Sequence, residues 1–331
     1  MARPNAERAP LPERIGATPE REFDEMPTAE MRTGRERLRQ VAAEQVTLDE
    51  AAAEEILDDI TARYKIPVET PTDQAKVRAY QERSIPPYLQ NKQEREPLAV
   101  RLYGLFAGAE GMKEAREALP KDGPFLVVAN HSGGESPVLL SLLKEYDAHI
   151  AAGEELNFNR SGFRKWLLER LRMIPVRESL ANLNDEEKEK LLERVPGEKR
   201  KASYRKIAER EKDGGAAANK EFIKTTVALL SRGDVVAMFP EGLFLYDDNK
   251  GLRKAYGGVE LIAREYKRLT GKDLPIVPVS VWSNAEGKRI EVGDAITIER
   301  GDKALSGTER IMRELAELLP EDLHGAYAEK E

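Results

Sequence analysis

The sequence predicts an α/β protein: a mixed, mostly parallel sheet flanked by helices, with an N-terminal helical accessory region. Three observations carry that expectation. From about Gly123 to Leu319, short runs rich in Val, Ile and Leu alternate with longer amphipathic stretches, the rhythm of strand–helix units. Within the short runs consecutive residues are apolar, as in strands covered on both faces. The first third of the chain lacks this rhythm and is polar, proline-interrupted and helical in its spacing.

In chain order, residues 1–35 are rich in Pro, Glu and Arg and are expected to form a disordered tail. Residues 36–97 read as the helical accessory region. Thr47 and Glu50 have capping-box spacing, and Ile56, Leu57, Ile60 and Tyr64 share one face behind them. Pro67, Pro71, Pro86 and Pro87 interrupt the segment beyond Lys65. The main domain is expected over residues 98–331. It opens on the amphipathic Leu98–Phe106, which suits a helix packed on the domain or a membrane-surface contact. Strands are expected at Pro124–Ala129, Ala148–Ala152, Met173–Val176, Asp234–Phe239, Leu274–Trp282, Arg289–Val292 and Ala295–Ile298. Helices are expected at Pro137–Lys144, Phe163–Leu171, Ala218–Leu230, Gly257–Leu269 and Ser306–Leu319. Residues 179–216 interleave Glu and Lys and read as a solvated helical insertion, with Asn184 and Glu187 spaced as a cap.

Composition removes several kinds of chemistry. The 331 residues contain no cysteine, which excludes disulfides, thiolate metal sites and a cysteine nucleophile. The three histidines, His131, His149 and His324, stand in unlike contexts, so a multi-histidine metal centre is not expected. His149 and His324 are assigned to structure or surface. A net charge of -7 argues against broad nucleic-acid binding. The Met1-Ala2-Arg3-Pro4 start is followed by no apolar stretch, so no secretory leader is expected. No apolar run approaches the ~18 residues of a spanning helix. The expected location is cytoplasmic, peripheral on the inner face of a membrane; the oligomeric state is left open.

Four segments carry candidate chemistry, each at or within an expected strand, where open α/β sheets place ligands. In Asn130-His131-Ser132-Gly133-Gly134-Glu135-Ser136-Pro137 a histidine leaves a strand end just before a helix. A histidine there can take a proton from a hydroxyl near neutral pH, and the helix start offers N–H groups to an anion. Arg177 ends Ile174-Pro175-Val176-Arg177, where a guanidinium can fork onto phosphate. Phe239-Pro240-Glu241-Gly242 holds a carboxylate in a tight turn. Ile276-Val277-Pro278-Val279 puts proline inside an apolar strand, which suggests a bend or a sheet edge. Each alone has an ordinary reading: a turn histidine, a surface ion-pair arginine, a Pro-Glu-Gly turn, a strand bend.

Their order and spacing are more specific. They resemble the four sequence blocks of the glycerol-3-phosphate and 1-acylglycerol-3-phosphate acyltransferase superfamily: Asn-His-x4-Asp after a strand, an arginine after a short apolar strand, Phe-Pro-Glu-Gly, and an apolar strand with a central proline. The resemblance spans about residues 98–300, and the intact FPEG is its most specific element. It implies the glycerolipid acyltransferase fold and direct attack of an acceptor hydroxyl on an acyl thioester, with acyl-CoA or acyl carrier protein as co-substrate and neither cofactor nor metal. It implies that His131 is the general base, that Arg177 holds the acceptor phosphate, that Glu241 and Gly242 bind a glycerol-phosphate or lysophospholipid acceptor, and that Pro278 shapes the site.

Two departures stand out. The position of the family's aspartate is Ser136, and the nearest carboxylate is one residue earlier, at Glu135. Glu135 is the candidate partner for His131, with Ser136 beside it at the substrate. The family's FPEG is normally followed by Thr or Ser and then Arg; here Leu243, Phe244, Leu245 and Tyr246 follow, and Lys254 or Arg253 is the candidate replacement for the basic contact. The alternative function is a catalytically inactive module of the same fold that binds lipid or a protein partner. The basic amphipathic stretch Arg160–Arg172 suits anionic lipid or the phosphates of the acyl donor, or simply a solvated helix.

Overall fold

The computed structural model describes residues 74–90, 108–131, 134–155, 161–180, 183–211, 219–242, 251–298 and 306–328. The chain divides into Met1–Thr47 and Leu48–Glu331, and every described residue belongs to the second unit. The expected tail, the expected helix up to Lys65 with its Thr47–Glu50 cap, and Leu98–Phe106 lie outside the described residues.

Among the described residues, six strands form one mixed, mostly parallel sheet: β1 (Leu126–Ala129), β2 (Ala148–Gly153), β3 (Ile174–Val176), β4 (Val235–Met238), β5 (Ile276–Asn284) and β6 (Gly287–Val292). Their spatial order is β3-β2-β4-β1-β5-β6. All neighbouring pairs are parallel except β5 with β6, which is antiparallel. The unbroken apolar runs have a direct cause. Along β1, Leu126 and Val128 enter one core while Val127 and Ala129 enter the other. In β4, Val236 and Met238 split from Val235 and Ala237 in the same way. Every residue of such a strand is buried, and each large aliphatic side chain taken out of water contributes roughly 1.5–3 kcal/mol.

Helices α1 (Gln74–Ser84), α2 (Pro87–Gln90), α3 (Met112–Ala118), α4 (Glu135–Leu142) and α5 (Gly162–Arg170) precede the insertion. The described part of the insertion contains α6 (Asp185–Arg194) and α7 (Glu198–Glu211), and α8 (Lys220–Ser231), α9 (Gly258–Thr270) and α10 (Ser306–Glu317) follow among the described residues. Asn184 and Glu187 form the full reciprocal capping box of α6. Leu180, Leu191, Val195, Tyr204 and Ile207 form a small core of the insertion's own. The 74–90 segment packs onto α8: Ile85 and Leu89 are buried in the α8–α9–α10 core, and the Arg232 guanidinium donates to the carbonyls of Leu89 and Gln90.

Two local expectations change. Ala295–Ile298 makes only an isolated antiparallel bridge, Ile276 with Ile296, rather than a strand. Pro278 sits in an interior strand, not at an edge. Ile276 faces Ile296 and Ser280 faces Glu291, so the segment opposite carries one extra residue, a bulge. The Gly293 N–H donates to the Pro278 carbonyl at 3.0 Å. The absent proline N–H faces this irregular stretch, where the ladder is already interrupted.

At the amino-terminal edge of the sheet a polar network centres on the buried His149 and Asp234. His149 Nε2 lies 2.9 Å from the Asp234 carboxylate, and Nδ1 lies 3.0 Å from the Arg172 carbonyl. Arg232 pairs with the same Asp234, and Arg172 pairs with Asp147 at 3.1 Å. His149 is therefore structural. Burial alone would raise the Asp234 pKa, but hydrogen bonds from His149 and Arg232 outweigh it and hold the carboxyl at about 2. A carboxyl depressed in this way stabilises the fold above the ordinary carboxylate range, and that contribution disappears as pH falls through about 2. We predict that Asp234→Asn destabilises the protein by about 3–5 kcal/mol at pH 7 in urea unfolding, with the deficit shrinking on acidification towards pH 2. A variant that unfolds at the parental urea midpoint would show that the network contributes nothing to stability.

Candidate active site

The carboxyl edge of the sheet gathers the candidate residues because of strand register. Val128 of β1 lies opposite Met238 of β4. The two chains leave the sheet level with each other, which brings His131 to Glu241 across 110 residues of sequence. The His131 N–H donates to Glu241 Oε1 at 2.7 Å, and the Arg253 N–H donates to Glu241 Oε2 at 3.0 Å. Glu241 is 7% exposed, and burial pushes its pKa up while the two N–H donors oppose the shift. Both oxygens of this carboxylate grip backbone.

On the other side of β1, Asn130 takes the place of an extra strand residue. Its Nδ2 donates to the Val281 carbonyl at 2.8 Å, and the Val281 N–H donates to its Oδ1 at 2.7 Å. These buried bonds hold the chain entering His131 against β5. The imidazole lies flat against Phe239, with ring centroids 4.5 Å apart and planes 17° apart. The phenylalanine and the glutamate of FPEG thus hold the ring and the backbone of the same histidine.

The buried Glu135 carboxylate faces the imidazole: Oε2 is 3.5 Å from His131 Nδ1, with the histidine side chain 24% exposed and the glutamate 1%. That distance is longer than a formed hydrogen bond, although catalytic hydrogen bonds are often long before substrate binds. Gly134, at φ 86°, caps α4, and the Lys288 ammonium donates to its carbonyl at 3.0 Å. Ser136 is half-buried in the first turn of α4. Ser132 and Gly133 lie outside the described residues, as do residues 243–250 with the apolar and acidic stretch after FPEG.

Gly242 has a left-handed backbone, φ 77°, and a Cβ there would sit 2.6 Å from the Tyr256 ring. The turn ending at Gly242 is therefore covered by Tyr256, whose N–H donates to the Pro240 carbonyl at 2.9 Å. Lys254 lies exposed in the same 252–256 loop, next to the Arg253 that binds Glu241.

The structure does not bring Arg177 to this cluster. β2 and β4 separate β3 from β1, and three strand spacings amount to about 14 Å. Arg177 is 51% exposed at the same edge, its guanidinium 3.2 Å from Glu154 and its backbone held in both directions by the Asn219 side chain. Sequence reading assigns no role to Asn130, Phe239, Tyr256 or Lys288. The first two lie inside the motifs and are legible as neighbours; the other two become visible only in space. Among the described residues, no group of three or more His, Cys, Asp or Glu is arranged to hold a metal ion, and no helix is long and apolar enough to cross a membrane.

Residues 112–282 match the family model described as Acyltransferase. No curated protein matches the chain in sequence. Among solved structures, the 1-acyl-sn-glycerophosphate (LPA) acyltransferase PlsC from Thermotoga maritima is similar, with 16% identity and a TM-score of 0.38, over 66% of this chain and 79% of that one. The family match covers more than half of the chain and includes His131, Glu135, Arg177 and the whole FPEG turn, and the chain belongs to the acyltransferase family.

Proposed function

We propose that this acyltransferase moves an acyl group from a thioester, acyl-CoA or acyl carrier protein, to the hydroxyl of a glycerol-phosphate or lysophospholipid acceptor, in phospholipid biosynthesis or remodelling. The observation that carries the reading is the His131 imidazole at the carboxyl edge of the sheet, stacked on Phe239, with the Glu135 carboxylate facing Nδ1. A carboxylate on one ring nitrogen fixes the tautomer and stabilises the imidazolium that forms during reaction.

With Nδ1 towards Glu135, Nε2 takes the proton of the acceptor hydroxyl. The oxygen attacks the thioester carbonyl, the C=O π electrons move onto oxygen, and a tetrahedral oxyanion forms. The N–H groups at the start of α4 suit that charge. Collapse breaks the C–S bond, and the departing thiolate takes the proton back from the imidazolium. The mechanism uses no metal or cofactor; the thioester is a co-substrate. Glu241 and Gly242 shape the acceptor side, Ser136 borders it, and Lys254 is the candidate cation for the acceptor phosphate, with Arg177 able to contribute only from the rim.

The lipid character of the acceptor fits the surface of α5. Phe163 is 66% exposed and Trp166 36% exposed, stacked at 5.8 Å, with the Arg170 guanidinium 5.9 Å from the indole centroid. Arg164 and Lys165 flank them. Interleaved aromatic and basic groups are the pattern of a peripheral contact with anionic lipid.

Three measurements test these readings. His131→Ala should lower acyl transfer by about 10²–10⁴-fold with unfolding unchanged; turnover near parental levels would defeat the mechanism and leave an inactive lipid- or partner-binding module as the better account. Glu135→Gln should lower turnover steeply at little loss of stability, and Ser136→Asp added to it should restore part of the rate. If Glu135→Gln leaves turnover alone, the carboxylate serves only the start of the helix, an effect worth about 0.3–1 kcal/mol. Sedimentation with vesicles should rise with anionic lipid content, fall with salt, and weaken in a Phe163→Ser, Trp166→Ser double variant. Binding that ignores lipid charge, salt and this variant would exclude α5 as the contact.

A further inference from the structure

The residues after α10 fold back as two short 3-10 turns, Glu321–Leu323 and Gly325–Tyr327. They pack on the loop that succeeds the FPEG turn. The Leu252 N–H donates to the Leu323 carbonyl at 2.9 Å, and the Ala326 N–H donates to the Leu252 carbonyl at 2.7 Å. Leu252 itself is buried, 3% exposed. The Ala255 N–H donates to the Tyr327 hydroxyl at 3.0 Å. Gly325, at φ 55°, approaches so closely that a Cβ there would lie 2.2 Å from the Leu252 carbonyl oxygen.

The same loop uses its other N–H groups in the opposite direction. Arg253 donates to the Glu241 carboxylate at 3.0 Å, and Tyr256 donates to the Pro240 carbonyl at 2.9 Å. Between residues 252 and 256 the bonds thus go in turn to the carboxyl-terminal segment, the FPEG turn, the carboxyl-terminal segment and the FPEG turn. Glu241 then passes the constraint on through its other oxygen to the His131 N–H. The path from Tyr327 to the catalytic histidine runs through hydrogen bonds and short stretches of backbone between them. Tyr327, Ala255, Arg253, Glu241 and His131 are each buried or half-buried, so a lost bond between them is not simply replaced by water.

We propose that the segment 320–328 is a positioning strap for the active site: it holds the 252–256 loop so that Arg253 and Glu241 keep His131 in its reactive place. The proposal rests on His131 being the general base. Tyr327 is accordingly a positioning residue, because it acts through the loop and Glu241. A strap that only stabilised the fold would have no need of a loop whose N–H groups alternate between it and the residue that holds the histidine.

The test is Tyr327→Phe in the full chain, which keeps the ring and removes the oxygen that accepts from Ala255. Two readouts are taken: steady-state kinetics with an acyl thioester and a lysophospholipid, and backbone amide hydrogen exchange at His131, Arg253 and Ala255. A single hydrogen bond is worth up to about a tenfold change. We expect kcat to fall by about 3- to 10-fold, both KM values to stay within about twofold, and exchange to speed up at Arg253 and His131 as well as at Ala255. Gly325→Ala, which pushes the strap off Leu252, should move the same quantities further; if it fails to fold, Tyr327→Phe still decides the matter. Faster exchange confined to Ala255 with kcat unchanged would overturn the proposal, as would a fall in kcat with the His131 amide unaffected. If the parent transfers no acyl group, the proposed reaction fails by itself, and unchanged His131 exchange in Tyr327→Phe would separately reject the strap.

Discussion

Glu241 accepts two backbone N–H groups, from His131 and from Arg253, and the geometry of the carboxyl edge depends on that grip. A carboxylate taken out of water is stable as an anion only if its oxygens find donors. Burial pushes Glu241 towards the neutral form, and these two N–H groups oppose it. The donors come from opposite sides, one from the end of β1 and one from the loop after β4, so satisfying the carboxylate joins two segments far apart in sequence. The parallel register of Val128 with Met238 makes the junction possible, because both chains leave the sheet at the same level.

Around this junction the histidine is constrained on each side by a different physical means. Stacking on Phe239 sets the plane of the ring. Asn130, bonded to both backbone groups of Val281, fixes the chain that enters His131. Glu135 offers its charge to Nδ1 from the first turn of α4. A helical residue shifts its attachment point by about 100° when it moves one place. In the proposed mechanism a glutamate one residue earlier than the family's aspartate would make up that displacement with one more methylene and a glycine-capped helix start. The 3.5 Å separation leaves this contact looser than the two that hold Glu241.

The two edges of the sheet have separate duties. The amino-terminal edge joins His149, Asp234, Arg172 and Arg232 in a network whose hydrogen bonds run mainly among its own members. The carboxyl edge keeps a histidine side chain partly exposed and surrounds it with groups held in place from behind. Arg177 stays outside the cluster, three strands away from β1, so any contact it makes to an acceptor is made from the rim. The segment 320–328 packs on the loop that follows the FPEG turn.

Features carried by adjacent residues were legible in the sequence by itself. Apolar runs such as Leu126–Ala129 and Val235–Met238 declared buried parallel strands, because a two-faced strand leaves no polar alternation. The Asn184–Glu187 box declared a helix start three residues apart. The His131 and FPEG blocks declared their family through residue type and order. What tertiary structure decided is what couples distant residues. Strand order placed β4 beside β1 and so brought Glu241 to His131, and the same order kept Arg177 away. A bulge opposite Pro278 allowed proline in an interior strand, where its sequence suggested a bend or an edge. Lys288 reached Gly134, and Tyr327 reached Ala255, across stretches with no periodicity to reveal them. Local patterning records only whether a side chain faces core or solvent at its own position; which other segment shares that core is set by how the sheet's crossovers close, and that is settled only when the whole chain packs.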